Sequence, residues 1–234
     1  MSVDTDRTHW HPGSRVARLR STHGYGWVLL LVVCGFLFAA SAPDGGWARS
    51  LFVLLEAATL VLALWTSGFS RDIRLGAAVG AIGVTAAVIT IVSDAHGVAG
   101  AVWIVNVVLV SALVAVLALG IVDQGEVNRQ SVTGAVCVYI LLGMLFTFAY
   151  GAMAALGSGP FFAQGTDGTT SVRMYFSYVT LATLGYGDYT PRGNLGHTVA
   201  IVEALVGQLY LVTVVALLVS NVGRKREPRE RREP

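Results

Sequence analysis

Between Met174 and Pro191 the chain reads MYFSYVTLATLGYGDYTP. Its centre, Thr183-Leu184-Gly185-Tyr186-Gly187, has two glycines flanking a tyrosine. Glycine takes positive φ at little steric cost. A backbone that alternates left- and right-handed residues can turn successive carbonyls to one side, whereas an ordinary strand sends successive groups to opposite faces. Four such segments around an axis would stack rings of oxygen, completed by the Thr183 hydroxyl, able to replace the water shell of a bare cation. Asp188 follows directly, and its carboxylate would raise cation concentration at the mouth.

Two further carboxylates, Glu56 and Glu203, fall inside apolar runs, where a charge is expensive unless neutralised or paired. Thr85 and Asn106 lie at depths comparable to Glu56 and suggest a polar cluster, with a protonated Glu56 in a buried groove as the alternative. Glu203 sits level with the segment before Thr183 and has Ser177 or Thr180 as candidate partners. Cys34 and Cys137 sit in apolar stretches without metal-ligand spacing and read as packing residues.

The surroundings needed to hold these groups are membrane helices. The chain has 234 residues, 54% hydrophobic and 13% charged, against roughly 25% charged in soluble domains. A net charge of +2 gives no reason to expect a nucleic-acid partner. Six segments approach the roughly 20 apolar residues a spanning helix needs: 25–42, 50–69, 73–93, 98–122, 131–156 and 195–222. Residues 170–191, only partly apolar, form a re-entrant candidate. The fold class expected is an all-α membrane protein of six transmembrane helices with a re-entrant helix and loop. Arg7, Arg15, Arg18 and Arg20 precede the first span, and Ala40-Ser41-Ala42 fits a leader cleavage site, so a removed leader is the alternative to a retained first helix.

Basic residues orient the spans. With both termini inside, 13 of the 16 Lys and Arg residues fall on the inner side. Only Arg49, Arg173 and Arg192 lie outside, so the loop before the last span enters from outside. The expected units are a cytoplasmic segment 1–24, a peripheral four-helix bundle 25–130, a pore domain 131–222 and a charged cytoplasmic tail 223–234. That tail is too short for a soluble regulatory domain, and its basic residues suit anionic membrane lipid.

The stretch 131–222 resembles the pore domain of tetrameric potassium channels, particularly prokaryotic ones. That family carries T-V-G-Y-G-D where this chain has Thr183, Leu184, Gly185, Tyr186, Gly187 and Asp188. The resemblance implies a homotetramer in the cell membrane that passes potassium selectively, is not an enzyme and needs no cofactor. Residues 183–187 become its selectivity filter, with potassium held at Thr183, Leu184, Gly185 and Tyr186. It further implies that Asp188 bonds Tyr175, that Thr180 supports the filter, and that Gly207, in the run from Glu203 to Tyr210, is a hinge, making Gly207 and Glu203 gating candidates. Val179 stands where some relatives keep a filter-supporting acid.

Two other classes fit parts of this pattern. GYGD fits the G-x-G-D pattern of intramembrane aspartyl proteases, but no Tyr-Asp dipeptide or Pro-Ala-Leu segment accompanies it. A potassium transporter subunit is closer, yet such chains carry four degenerate loops where this one has a single full motif. The fourth span, 98–122, contains no Lys or Arg, so a conventional voltage sensor is not expected.

Overall fold

The computed structural model describes residues 24–41, 45–66, 96–123 and 129–224. The span expected at 73–93, with Thr85, lies outside the described residues, as do the N-terminal segment and the charged tail. Six helices follow one another: α1 Gly24–Ser41, α2 Gly46–Thr66, α3 His96–Asp123, α4 Arg129–Leu156, α5 Thr170–Leu181 and α6 Asn194–Arg224. Five coincide with expected spans to within a few residues, and α5 opens the re-entrant candidate. Among the described residues the only pairing of extended backbone is one bridge between Phe162 and Pro191.

Helix is the form that apolar solvent dictates. The valine-rich run of α3 would favour a strand in water, but in hydrocarbon each backbone N–H and C=O needs a partner within its own segment. Among the described residues three helices are long and apolar enough to cross a bilayer: Gly100–Val122, Gln130–Leu156 and Asn194–Leu217. Tyr25–Ser41 and Leu51–Leu64 are shorter apolar stretches.

The central helix is α4, which packs against α1, α3, α5 and α6, while α2 leans on α1 and α3. The α3–α4 seam closes through Gly151, where an added Cβ would lie 2.5 Å from the Trp103 ring. Trp103 also receives the Arg173 guanidinium, 4.7 Å from the ring centroid. A cation in the first turn of α5 opposes the helix dipole. Arg173 offsets this by donating to the carbonyls of Asp167 at 3.0 Å and Gly168 at 2.6 Å. Ser171 adds a second tie, donating to the Ala40 carbonyl at 2.6 Å near the end of α1. The peripheral helices therefore hold the start of α5 at two points. By contrast α6 touches mainly α4 and α5, and Ile201, Leu205, Leu209 and Val212 on it are exposed.

Asn106 and Glu56 are both buried, but the expected polar cluster is not formed between them. The Asn106 amide donates to Val102 O of its own helix at 3.1 Å. Among the described residues, neither Glu56 oxygen nor Asn106 Oδ1 has a hydrogen-bond partner. Cys137 is buried, as a packing residue should be, whereas Cys34 is exposed.

Gly151→Ala should therefore drive Trp103 off α4 and lower stability by about 1–3 kcal/mol. Gly26→Ala, where a Cβ meets nothing within 4 Å, should change it by less than about 0.5 kcal/mol. Thermal unfolding of the two purified variants in detergent compares them. Equal midpoints would contradict the packing described.

Candidate functional site

Thr169 caps α5, its hydroxyl accepting from Val172 N–H at 3.2 Å. The helix ends at Leu181, and the chain continues without regular structure through residues 182–193. Its first amides turn back onto the end of α5. Ala182 N–H donates to Tyr178 O at 3.0 Å and Thr183 N–H to Thr180 O at 2.9 Å. Val179 O then accepts both Leu184 N–H at 2.9 Å and Gly185 N–H at 3.3 Å. Thr180 and Val179 thus hold this loop through backbone carbonyls, so the acid absent at position 179 is not needed for these contacts.

The dihedrals alternate. Thr183, Gly185 and Gly187 have φ of 58°, 55° and 78°, while neither Leu184 nor Tyr186 has positive φ. This is the geometry that turns successive carbonyls to one side. Two of the three positions were legible as glycines. Thr183 was not, because a β-branched residue rarely occupies the left-handed region and bears roughly 1–3 kcal/mol of strain there. A built Cβ at Gly185 or Gly187 meets nothing within 4 Å, so glycine is required there by φ and not by crowding. The carboxyl end of α5 adds a partial negative charge beside the loop.

A clasp on the outer side keeps the end of the loop in place. Arg192 N–H donates to Phe161 O at 2.6 Å and Ala163 N–H to Thr190 O at 2.9 Å. Gln164 donates to Asp188 O at 2.9 Å and accepts from Thr190 N–H at 3.3 Å. Asp188 near the Tyr175 phenol pushes it above its ordinary value. The Tyr175 ring also stacks on Tyr186, with centroids 6.5 Å apart. Behind them Tyr150, Phe161, Phe162 and Phe176 form a buried aromatic cluster. Sequence reasoning missed Phe161, Phe162 and Gln164, whose only signal is the loop's return across 191–192.

Glu203 is fully buried. One carboxyl oxygen contacts the Ser177 hydroxyl, as one of the two expected pairings had it, and no bond to Thr180 forms. The other accepts from the Tyr150 hydroxyl at 2.5 Å, a partner that sequence spacing gave no reason to choose. One turn further along α6, Gly207 lies so close to α5 that a Cβ would sit 2.3 Å from Leu181 O. Gly207 is thus a contact point between α6 and the end of α5.

Residues 138–224, which contain all these groups, match the family model described as Ion channel. This part of the chain is similar to that ion-channel family. Over 106 residues the chain is 33% identical to the inward rectifier potassium channel Kirbac3.1 of Paramagnetospirillum magnetotacticum, covering 45% of this chain and 36% of that one. It is 41% identical over 56 residues to the probable potassium channel protein 2 of Methanocaldococcus jannaschii, covering 23% of this chain and 16% of the relative. The chain therefore spans 36% of the first relative's length and 16% of the second's. No solved structure matches it significantly. The likeness to potassium-channel pore domains read from the sequence holds for this segment.

Gly207→Ala should push α6 away from Leu181 and lower stability by about 1–3 kcal/mol. Thermal unfolding beside the Gly26→Ala variant measures it; a Gly207→Ala protein as stable as the parent would show that the contact is not close.

Proposed function

We propose that the protein is a potassium-selective channel in which four copies surround one axis and ions pass down their gradient through the loop 183–187. The observation that carries this reading is the positive φ at every second residue from Thr183 to Gly187. Carbonyl oxygens of Thr183, Leu184, Gly185 and Tyr186 then form rings that replace the hydration shell of potassium. One chain supplies one side of such a ring, so the remaining sides come from copies related by cyclic symmetry. The exposure of Leu184 at 58% and Tyr186 at 65%, together with the uncovered apolar face of α6, supports this, because these surfaces need neighbours. The names of the two relatives support potassium as the ion, and channel chemistry leaves no covalent step for an enzyme. The arginine distribution supports multi-pass insertion in the cell membrane with both termini cytoplasmic, and the resemblance to prokaryotic pore domains supports a prokaryotic cell.

Purified protein in bilayers under a potassium/sodium gradient should reverse near the potassium equilibrium potential. Gly185→Ala places a Cβ on a left-handed residue, costing on the order of 1 kcal/mol or more per subunit. It should abolish selective current while the protein still assembles by gel filtration, with Gly26→Ala unaffected. Equal sodium and potassium permeability in the parent, or selective current through an assembled Gly185→Ala protein, would contradict the carbonyl-ring reading.

Gating by voltage would require charge that moves in the field, at about 2.3 kcal/mol per charge per 100 mV. The helix α3 has no Lys or Arg to supply it. Open probability should vary weakly with potential; gating currents of several charges per subunit would contradict this.

A further inference from the structure

The contacts around Glu203 contain one more constraint, in their hydrogens. The Ser177 hydroxyl lies 2.7 Å from Gly143 O on α4 and also within hydrogen-bond distance of a Glu203 oxygen. A carbonyl can only accept, and an ionised carboxylate can only accept. The single Ser177 hydrogen cannot serve both. If Glu203 were ionised, one of the two contacts would bring oxygens together with no hydrogen between them. With a proton on Glu203 the chain closes: the acid donates to Ser177, Ser177 donates to Gly143 O, and the Tyr150 hydroxyl donates to the second Glu203 oxygen. Every contact is then a hydrogen bond, and α6, α5 and α4 are joined at one buried point.

We propose that Glu203, as the neutral acid, is the positioning residue that locks the inner helix α6 to α5 and α4 behind the loop 183–187, and that its ionisation breaks this lock and withdraws support from the conducting loop. The inference rests on the pore reading above. The titratable side chains that face Glu203 are the phenols of Tyr150 and Tyr139 from α4 and of Tyr178 from α5. None of these is a cation that could balance a carboxylate. Arg173, one turn before Ser177, directs its guanidinium to the Asp167 and Gly168 carbonyls and the Trp103 ring. On its own helix the other titratable side chains are His197, Arg224 at its last residue, and Tyr210, which donates to Ala135 O at 2.6 Å. When alkali removes the Glu203 proton to solvent, Ser177 must give up either Gly143 O or Glu203, and a charge is left buried without a partner of opposite sign. The lost contact lies about one turn before the end of α5, whose last carbonyls hold Thr183, Leu184 and Gly185. Stability is present while the proton is bound and is lost as pH rises.

The test compares the full-length parent with Glu203→Gln, whose amide donates to Ser177 and accepts from Tyr150 as the neutral acid does. In bilayers between about pH 6 and about pH 10, potassium current through the parent should fall several-fold as pH rises, while the Glu203→Gln current stays level. Infrared spectra of the same proteins in lipid should show a carboxylic-acid carbonyl band in the parent at neutral pH. Glu203→Gln should lack that band, and in the parent it should fade over the range in which current is lost. Tyr150→Phe, which keeps the acid but removes one donor, should move the band to higher frequency, and it serves if Glu203→Gln fails to fold. Absence of the band at neutral pH overturns the proposal. So does a parent current indifferent to alkali, or a Glu203→Gln current with the parent's pH profile. A protein that passes no potassium at any pH fails the pore reading instead, a result the infrared band distinguishes because it needs no current.

Discussion

Hydrocarbon offers the backbone no hydrogen-bond partner, and the account depends on how residues 182–193 meet that constraint. A helix satisfies itself; an irregular loop at membrane depth must find partners elsewhere in protein or along a polar path. Here the amides of Ala182, Thr183, Leu184 and Gly185 are taken by the last carbonyls of α5. With the N–H groups engaged on one side and the handedness alternating at Thr183, Gly185 and Gly187, the loop's carbonyls are left to solvate something on the other. In the reading proposed above, a dehydrated monovalent cation meets that need. The positive φ of Thr183, unfavourable for its residue type, is strain of the kind that persists where the surroundings over-determine the backbone.

The rest of the molecule holds that loop still. At its inner end, α6 fits against Leu181 because Gly207 has no side chain, and Glu203 reaches both Ser177 and Tyr150. At its outer end Gln164 and the Phe162–Pro191 bridge hold residues 188–192. The peripheral helices add Ser171 on Ala40 and Arg173 on Trp103. A helix of twelve residues is marginal alone; α5 is fixed by these ties at its start, middle and end.

Much of this was legible because membrane helices announce themselves by composition. The positions of five spans and of α5 follow from apolar length and from the Gly-Tyr-Gly break. What escaped depends on contacts distant in sequence. Tyr150 and Glu203 are 53 residues apart, and only the fold brings them together. The reverse failure is also informative. Glu56 and Asn106 matched in depth, yet depth along parallel helices does not fix rotation about them, and the Asn106 amide turned to its own Val102 carbonyl. Gly207, a hinge by resemblance, also lies against Leu181, where only a residue without a side chain lets the helix approach the backbone so closely. Thr183 shows the limit of residue propensities, since tertiary context put a β-branched residue where glycine would be expected.

The central claim is that four copies of the loop coordinate bare monovalent cations through backbone oxygen. Its most direct test is a structure of the protein in lipid with rubidium or thallium replacing potassium, read by the anomalous signal of the ion. The account predicts a file of sites on a four-fold axis, level with the carbonyls of Thr183, Leu184, Gly185 and Tyr186. An assembly without four-fold symmetry, or an axis with no ion beside these carbonyls, would contradict it.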